Sequence, residues 1–172
     1  PPSRWRPRRV FMNWAPDSRK FAVDRMDYRG VGRYPLYSST QTKPRDRSYY
    51  YAAAGDSVIP VSDVHIVDVI DKTNIKVDQA PSVTVNASTN PQWSRTSDKL
   101  FVMHVARGYK RMQLSAVDAR TGKTTLIARD SFPSWVESRT YTRVNGGEDI
   151  LVLSERDGWN HIYPYASDGK LV

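Results

Sequence analysis

The sequence predicts an all-β fold, a run of about three to four antiparallel four-stranded blades from an incomplete β-propeller. Three observations carry this expectation. Short runs of β-branched and aromatic residues, split by Gly, Pro, Asn and Asp, fill the chain, and no long helical periodicity interrupts them. A unit recurs: Trp14-Ala-Pro-Asp-Ser-Arg-Lys-Phe-Ala-Val23 parallels Trp93-Ser-Arg-Thr-Ser-Asp-Lys-Leu-Phe-Val102, each a Trp closing one strand, a polar turn, a Lys and an apolar strand. A third unit opens at Trp135. The Trp spacings are 79 and 42 residues, the first nearly twice the second. A repeat near 42 falls in the range of roughly 40–45 residues for a four-stranded blade, so one unit between Trp14 and Trp93 is expected to lack its Trp.

Strands are expected at 10–14, 20–27, 63–70, 74–78, 82–87, 100–107, 111–118, 124–129, 139–144, 149–154 and 161–166. The turns between them have their own chemistry. Asp118-Ala-Arg-Thr-Gly122 supplies a glycine for a tight reversal, and Asn145-Gly146-Gly147 and Ser167-Asp168-Gly169 do the same later. The unit from Trp93 is the clearest blade, with three strands and two turns before Ile127. The segment 28–56 breaks the rhythm. It is long, basic and carries Tyr28, Tyr34, Tyr37, Tyr49, Tyr50 and Tyr51. It is either an excursion toward a partner domain or an extended hairpin packing its own tyrosines.

Composition bounds the function. The 172 residues hold enough apolar content (39%) for a core, and no run reaches the roughly 18 apolar residues of a membrane span. Absence of Cys excludes disulfides and thiolate chemistry. The net charge of +8 admits nucleic acid as a partner, and Arg4, Arg6, Arg8 and Arg9 with the Tyr-rich segment do interleave cations and rings. The cations are nevertheless spread along the chain and no nucleic-acid-binding signature accompanies them, so no nucleic-acid partner is expected. The three histidines, His65, His104 and His161, lack metal-ligand spacing, and neither a metal nor a cofactor is expected. The arginine-rich start without Met reads as an internal piece of a longer chain.

Several stretches resemble the dipeptidyl peptidase IV family of the prolyl oligopeptidase superfamily. Trp14-Ala-Pro-Asp-Ser-Arg-Lys-Phe-Ala is similar to its W-S-P-D-G-K-x-[IL]-A blade start. Pro44-Arg-Asp-Arg-Ser-Tyr-Tyr-Tyr-Ala-Ala-Ala-Gly-Asp56 resembles its tyrosine-rich segment ending in A-G-D. Arg107-Gly-Tyr-Lys-Arg-Met-Gln-Leu114 resembles its R-x-Q-N-x-[ML]-x-L strand. Ser154-Glu-Arg-Asp-Gly-Trp-Asn-His-Ile-Tyr163 is similar to S-E-R-D-G-W-x-H-[IL]-Y nearly throughout. The matches run in the family's order across most of the chain. The resemblance implies that residues 1–172 are a fragment of an N-terminal β-propeller. In the family, that propeller sits over an α/β-hydrolase domain whose Ser-Asp-His triad removes N-terminal dipeptides with Pro or Ala second. The implied partners are that hydrolase domain of the parent chain and a peptide substrate, and the implied location is periplasmic or extracellular.

The chain carries none of that catalytic equipment. There is no G-x-S-x-G nucleophile elbow. The family's paired amine-anchoring glutamates are missing too, since Glu137, Glu148 and Glu155 are not adjacent. By family position, Trp135-Val-Glu-Ser-Arg139 leads toward the outer rim of the substrate pocket, which makes Trp135 and Arg139 the candidate substrate-binding residues. Trp159 and His161 are expected to belong to a blade turn, with Trp159 packed and His161 hydrogen-bonded. Terminal blades of a broken ring are expected to expose apolar faces (Phe11, Trp14, Phe21 and Val23 at one side; Ile150, Leu151, Val152, Leu153, Ile162 and Tyr163 near the other) and so to promote self-association. The competing reading is a stand-alone propeller scaffold for protein interactions.

Overall fold

In a computed structural model the described residues are 12–40, 42–43, 45–83, 89–137, 140–147 and 149–172. Among them the fold is built from strands, with one short 3-10 turn at Asn145–Gly147. Phe11, Arg139, Glu148 and the four N-terminal arginines named above lie outside the described residues.

Strands β1 (Met12–Trp14) and β2 (Lys20–Asp27) open the first sheet. The chain then leaves it as one long hairpin with two rungs: β3 (Arg33–Tyr34) and β4 (Tyr37–Ser38) going out, β5 (Arg45–Asp46) and β6 (Tyr49–Tyr50) coming back. Pairing is nested, β4 with β5 and β3 with β6. The tyrosines pack on one another: Tyr34, Tyr49 and Tyr51 form a triangle with ring centroids 5.8–6.2 Å apart, and Tyr28 meets Tyr50 at 5.7 Å. The chain returns to the first sheet as β7 (Val61–Asp68), β8 (Thr73–Lys76) and β9 (Ser82–Val83). The sheet order is β1-β2-β7-β8, with β9 pairing the start of β7. The 79 residues between Trp14 and Trp93 are therefore one blade enlarged by a hairpin. The expectation of two blades, one without its Trp, is corrected: a long insertion inside a blade lengthens the spacing as effectively as a second copy would.

The second sheet is four-stranded, β10 (Gln92–Trp93), β11 (Lys99–Val105), β12 (Arg111–Asp118) and β13 (Thr124–Ser131), all antiparallel neighbours. The third has β14 (Tyr141–Val144), β15 (Asp149–Ser154) and β16 (His161–Ala166). Three blade-like sheets result. Trp14 faces Phe21 and Trp93 faces Leu100 across their hairpins, and in the third sheet Arg143 stands opposite Ile150. Arg143 thus takes the tryptophan's place, its guanidinium 5.4 Å from the Phe101 ring centroid. Trp135 lies before β14, in the connection between sheets, so the spacing of 42 did not mark a repeated strand position.

Side chains alternate across a strand, so a sheet covered on both faces buries every residue and one covered on a single face buries every second residue. Strand β11 is buried from Leu100 to Val105 without interruption. Its even positions Leu100 and Val102 meet Ala22, Val64 and Ile66 of the first sheet. Its odd positions Phe101 and Met103 meet Ile150, Val152 and Tyr165 of the third. In β15 only Ile150, Val152 and Ser154 are buried.

Polar groups pin both seams. The buried Trp93 indole N–H donates to the Asn13 carbonyl (2.8 Å). The Tyr141 hydroxyl donates to the Asn90 carbonyl (2.5 Å), and burial pushes this phenol's pKa up. Each seam is also closed by a glycine. Gly122 (φ +75°) sits where a Cβ would stand 2.7 Å from the Lys76 carbonyl oxygen, and Gly169 (φ +89°) where a Cβ would stand 2.6 Å from that of Leu126. Both glycines belong to the turn after the third strand of a sheet and press on the last strand of the sheet before. Only a residue without a side chain permits that approach in that conformation.

Candidate functional site

Three connections share one end of the sheets. The β2–β7 hairpin leaves from the pair Asp27–Val61, the β11–β12 turn from Val105–Met112, and the β15–β16 turn from Ser154–His161. Cross-links show that these lie at a common level. Arg107, in the β11–β12 turn, donates to the carbonyls of Asp56 and Ser57 at the base of the hairpin, the latter at 2.8 Å. Arg156, in the β15–β16 turn, pairs at 3.0 Å with the buried Asp130, whose strand partner is Met112. The β13–β14 connection crosses the same end. The Phe132 and Val136 amides bond the Lys110 and Tyr109 carbonyls (3.0 and 2.8 Å).

That connection presents Trp135. Val136 is buried and anchors it, while Trp135 keeps 43% of its surface in solvent. Its ring stacks on Tyr109 at 4.6 Å and 26°, and its indole N–H donates to Glu137 (2.7 Å). Tyr109 turns the corner with φ +57°. An offset stack of this kind offers a rigid aromatic surface with a carboxylate at its edge, suited to the body of a peptide. The sequence singled out Trp135. It gave no signal for Tyr109 or Glu137, because their role comes from a contact between two connections of different sheets. Arg139, the other candidate, lies outside the described residues.

The β15–β16 turn is built to hold its shape. Arg156 lies 4.1 Å above the Tyr163 ring and bonds the Tyr165 hydroxyl (2.6 Å) and the fully buried Ser154 hydroxyl (2.8 Å). Asp157 meets the His161 Nδ1 at 2.9 Å and accepts from the Trp159 amide. Hydrogen bonds from Tyr163, the Trp159 amide and His161 hold the Asp157 carboxyl below its ordinary pKa despite desolvation. His161 is hydrogen-bonded as expected. Trp159 is not packed: 76% of it is exposed. The turn directs the side chain away from the sheet, and motif spacing alone does not reveal that direction.

The remaining histidines serve the sheets. His65 bonds Asn74 through Nδ1 (2.8 Å), and His104 faces the Pro81 carbonyl through Nε2 (3.2 Å), with its pKa lowered chiefly by burial. Among the described residues no group of three metal-ligating side chains converges. The opposite end of the sheets holds a groove of about 580 Å³ between the first and second sheets. Several of its charged groups already have partners: Arg19 with Asp68 (2.6 Å), Lys20 with Asp17 (2.7 Å), and Asp98 with the Ser94 hydroxyl (2.7 Å). These pairs hold the turns of the first two sheets at that end.

Stacked antiparallel sheets joined at one end by rim-forming connections define a β-propeller segment. The chain belongs to the family described as the dipeptidyl peptidase IV (DPP IV) N-terminal region, whose profile matches residues 8–172. Its fold is similar to an assigned dipeptidyl aminopeptidase IV from Bacteroides ovatus (TM-score 0.75, 24% identity) and to dipeptidyl peptidase 4 from Porphyromonas gingivalis (TM-score 0.75, 23% identity). The superpositions cover 92% and 94% of this chain but 22% and 23% of those. The chain therefore spans less than a quarter of the length of these structures.

Proposed function

We propose that this chain is a non-catalytic propeller segment of a dipeptidyl-peptidase-IV-like serine peptidase. In this reading the segment gates access and supplies part of the wall of the peptide-binding cavity, while an α/β-hydrolase domain of the same polypeptide removes N-terminal dipeptides with Pro or Ala second, in the periplasm or outside the cell. The observation that carries it is the family match along residues 8–172. What supports the site assignment is Trp135, stacked on Tyr109 and held by the buried Val136 at this rim, which in this reading forms a step facing the cavity; Arg139, the other candidate by family position, follows it in sequence.

Turnover of a chromogenic glycyl-proline substrate tests the reading. The full-length polypeptide is expected to cleave it and to lose activity with a serine-reactive inhibitor. The isolated 172-residue chain is expected to show none, since it has no G-x-S-x-G elbow. A full-length polypeptide without activity overturns the peptidase reading, and a gene that encodes no hydrolase favours the stand-alone scaffold. Trp135→Ala in the full-length protein is expected to raise KM for peptides while leaving kcat for the small chromogenic substrate within about twofold, the signature of lost ground-state binding.

A further inference from the structure

We infer that Trp159 and its turn are the docking site for the connection that leads from the third sheet into the next blade, the segment of the polypeptide following Val172. The inference rests on the reading above, in which this chain is a segment of a longer propeller. Its ground is a repeat in the structure itself: the β11–β12 and β15–β16 turns share one plan. Each spans six residues, 106–111 between the pair Val105–Met112 and 155–160 between the pair Ser154–His161. In each the amide of the fourth residue bonds the carbonyl of the first, Tyr109 to Ala106 (3.0 Å) and Gly158 to Glu155 (2.9 Å). That fourth residue has positive φ in both, +57° and +97°. In each the second residue is an arginine that reaches back toward the sheet before, Arg107 to the Asp56 and Ser57 carbonyls and Arg156 to Asp130.

The second-sheet turn shows what such a turn carries. The connection from β13 toward β14 lies across it. The Phe132 amide bonds the carbonyl of the fifth turn residue, Lys110 (3.0 Å), the Val136 amide bonds that of the fourth, Tyr109 (2.8 Å), and Trp135 stacks on Tyr109. In the third-sheet turn the corresponding carbonyls are those of Trp159 and Gly158, and among the described residues no backbone amide bonds either. The ring has moved one place, from the fourth position to the fifth, which leaves a glycine at the corner and the indole 76% exposed beside it. Apolar surface left in water in this way gains from cover.

The course of the chain selects the occupant. Strand β13 runs beside β12 as far as the pair Arg111–Ser131 and enters the connection at the next residue, Phe132. After β16 the chain makes the same reversal at Gly169: Leu171 stands opposite Tyr165, and the Val172 amide bonds the Pro164 carbonyl (3.0 Å). Continued in that antiparallel register, the polypeptide passes His161 and arrives at the β15–β16 turn a few residues later. The connection then brings main-chain amides to the Gly158 and Trp159 carbonyls and lays an apolar side chain on the indole, as the preceding connection does at Tyr109.

The test is p-benzoylphenylalanine, a photoreactive aromatic residue, in place of Trp159 in the full-length polypeptide. Irradiation followed by mass spectrometry of the digested protein reads what lies against position 159. The expected result is an intrachain cross-link to a peptide within roughly fifteen residues after Val172, the rest of the strand plus a connection of ordinary length. A cross-link to a segment of the hydrolase domain overturns the inference, as does one between two copies, seen as a doubled mass on a denaturing gel. No cross-link at all overturns it too. Hydroxyl-radical oxidation of the unsubstituted polypeptide checks the same point without a substitution. Trp159 is expected to oxidise no faster than Trp135, which is 43% exposed, and a rate several times that of Trp135 would show the indole uncovered and the inference wrong. Turnover of the glycyl-proline substrate reads the peptidase assignment separately: an inactive polypeptide that gives the expected cross-link fails that assignment and upholds the docking.

Discussion

The second and third sheets have nearly the same hairpin but opposite burial economies. Strand β11 of the second sheet is covered on both faces and buries Leu100 through Val105 in succession. Strand β15 of the third aligns with it and buries only Ile150, Val152 and Ser154, leaving Leu151 and Leu153 part-exposed on the far face with Ile162, which is 61% exposed. The first sheet shows the mirror case: Ala22 is buried against the second sheet, while Trp14 is 49% exposed and leans on Phe21 at 5.2 Å. Both strands are apolar along their length. Neighbours, rather than sequence, decide which of those residues are core. An apolar residue at an outer face is therefore one that no other described sheet covers.

The largest test of this contrast is Phe101→Ala against Leu153→Ala. Phe101, 1% exposed at the seam of two sheets, is expected to cost ~3–5 kcal/mol, and Leu153 less than about 1 kcal/mol. Urea unfolding monitored by circular dichroism measures both, and equal losses would remove the distinction between the sheets. The next effect is at the seams' closest approach. Gly122→Ala places a methyl 2.7 Å from the Lys76 carbonyl at positive φ and is expected to cost about 1–3 kcal/mol. Gly55→Ala, also at positive φ but with nothing within 4 Å, isolates the backbone part of that cost and is expected to lose about 1 kcal/mol or less.

The outer faces predict association. The isolated chain is expected to self-associate at low micromolar concentration, and Leu151→Lys with Leu153→Lys to lower its apparent mass in light scattering without loss of β-sheet signal. A monomeric parent chain that binds no hydrophobic dye would show that these faces cap themselves. The smallest expected effect is a pH dependence from His104. Burial is the main cause of its lowered pKa, opposed by the Pro81 carbonyl and assisted by Arg111. A depressed folded value means that the unfolded chain takes up the proton first. The contribution to stability is fully present above the ordinary value of 6.5 and is lost as pH falls through the folded value. His104→Gln is expected to flatten the stability profile below pH 6.5, and an unchanged slope would assign the acid sensitivity elsewhere.

Strand positions were legible because a two-residue period is local. The expected segments 20–27, 111–118, 149–154 and 161–166 coincide with β2, β12, β15 and β16. What the sequence could not give depends on contacts far along the chain. The Tyr-rich segment admitted two readings, and ring-on-ring packing realises the hairpin. Trp135 resembled a strand tryptophan because its spacing was right, yet its partner is Tyr109 in another sheet's turn. Trp159 was expected to pack, and nothing in Arg-Asp-Gly-Trp says which way a side chain leaves a turn. Of the two candidate substrate residues, Trp135 is held by Tyr109 and Glu137, contacts that its spacing in the sequence does not reveal.

The closest approaches between sheets have a consequence for how such a chain can grow. Gly122 and Gly169 lie 47 residues apart, and each stands where the preceding sheet's backbone leaves no room for a methyl group. The matching corner of the first sheet, after Asp68, has Lys72 in the left-handed conformation (φ +54°). A junction as close as these two must keep its corner bare when a blade is copied, whatever happens to the tryptophans. Counting glycines at that corner gives a ruler for the repeat that a hairpin inserted elsewhere in the blade does not disturb.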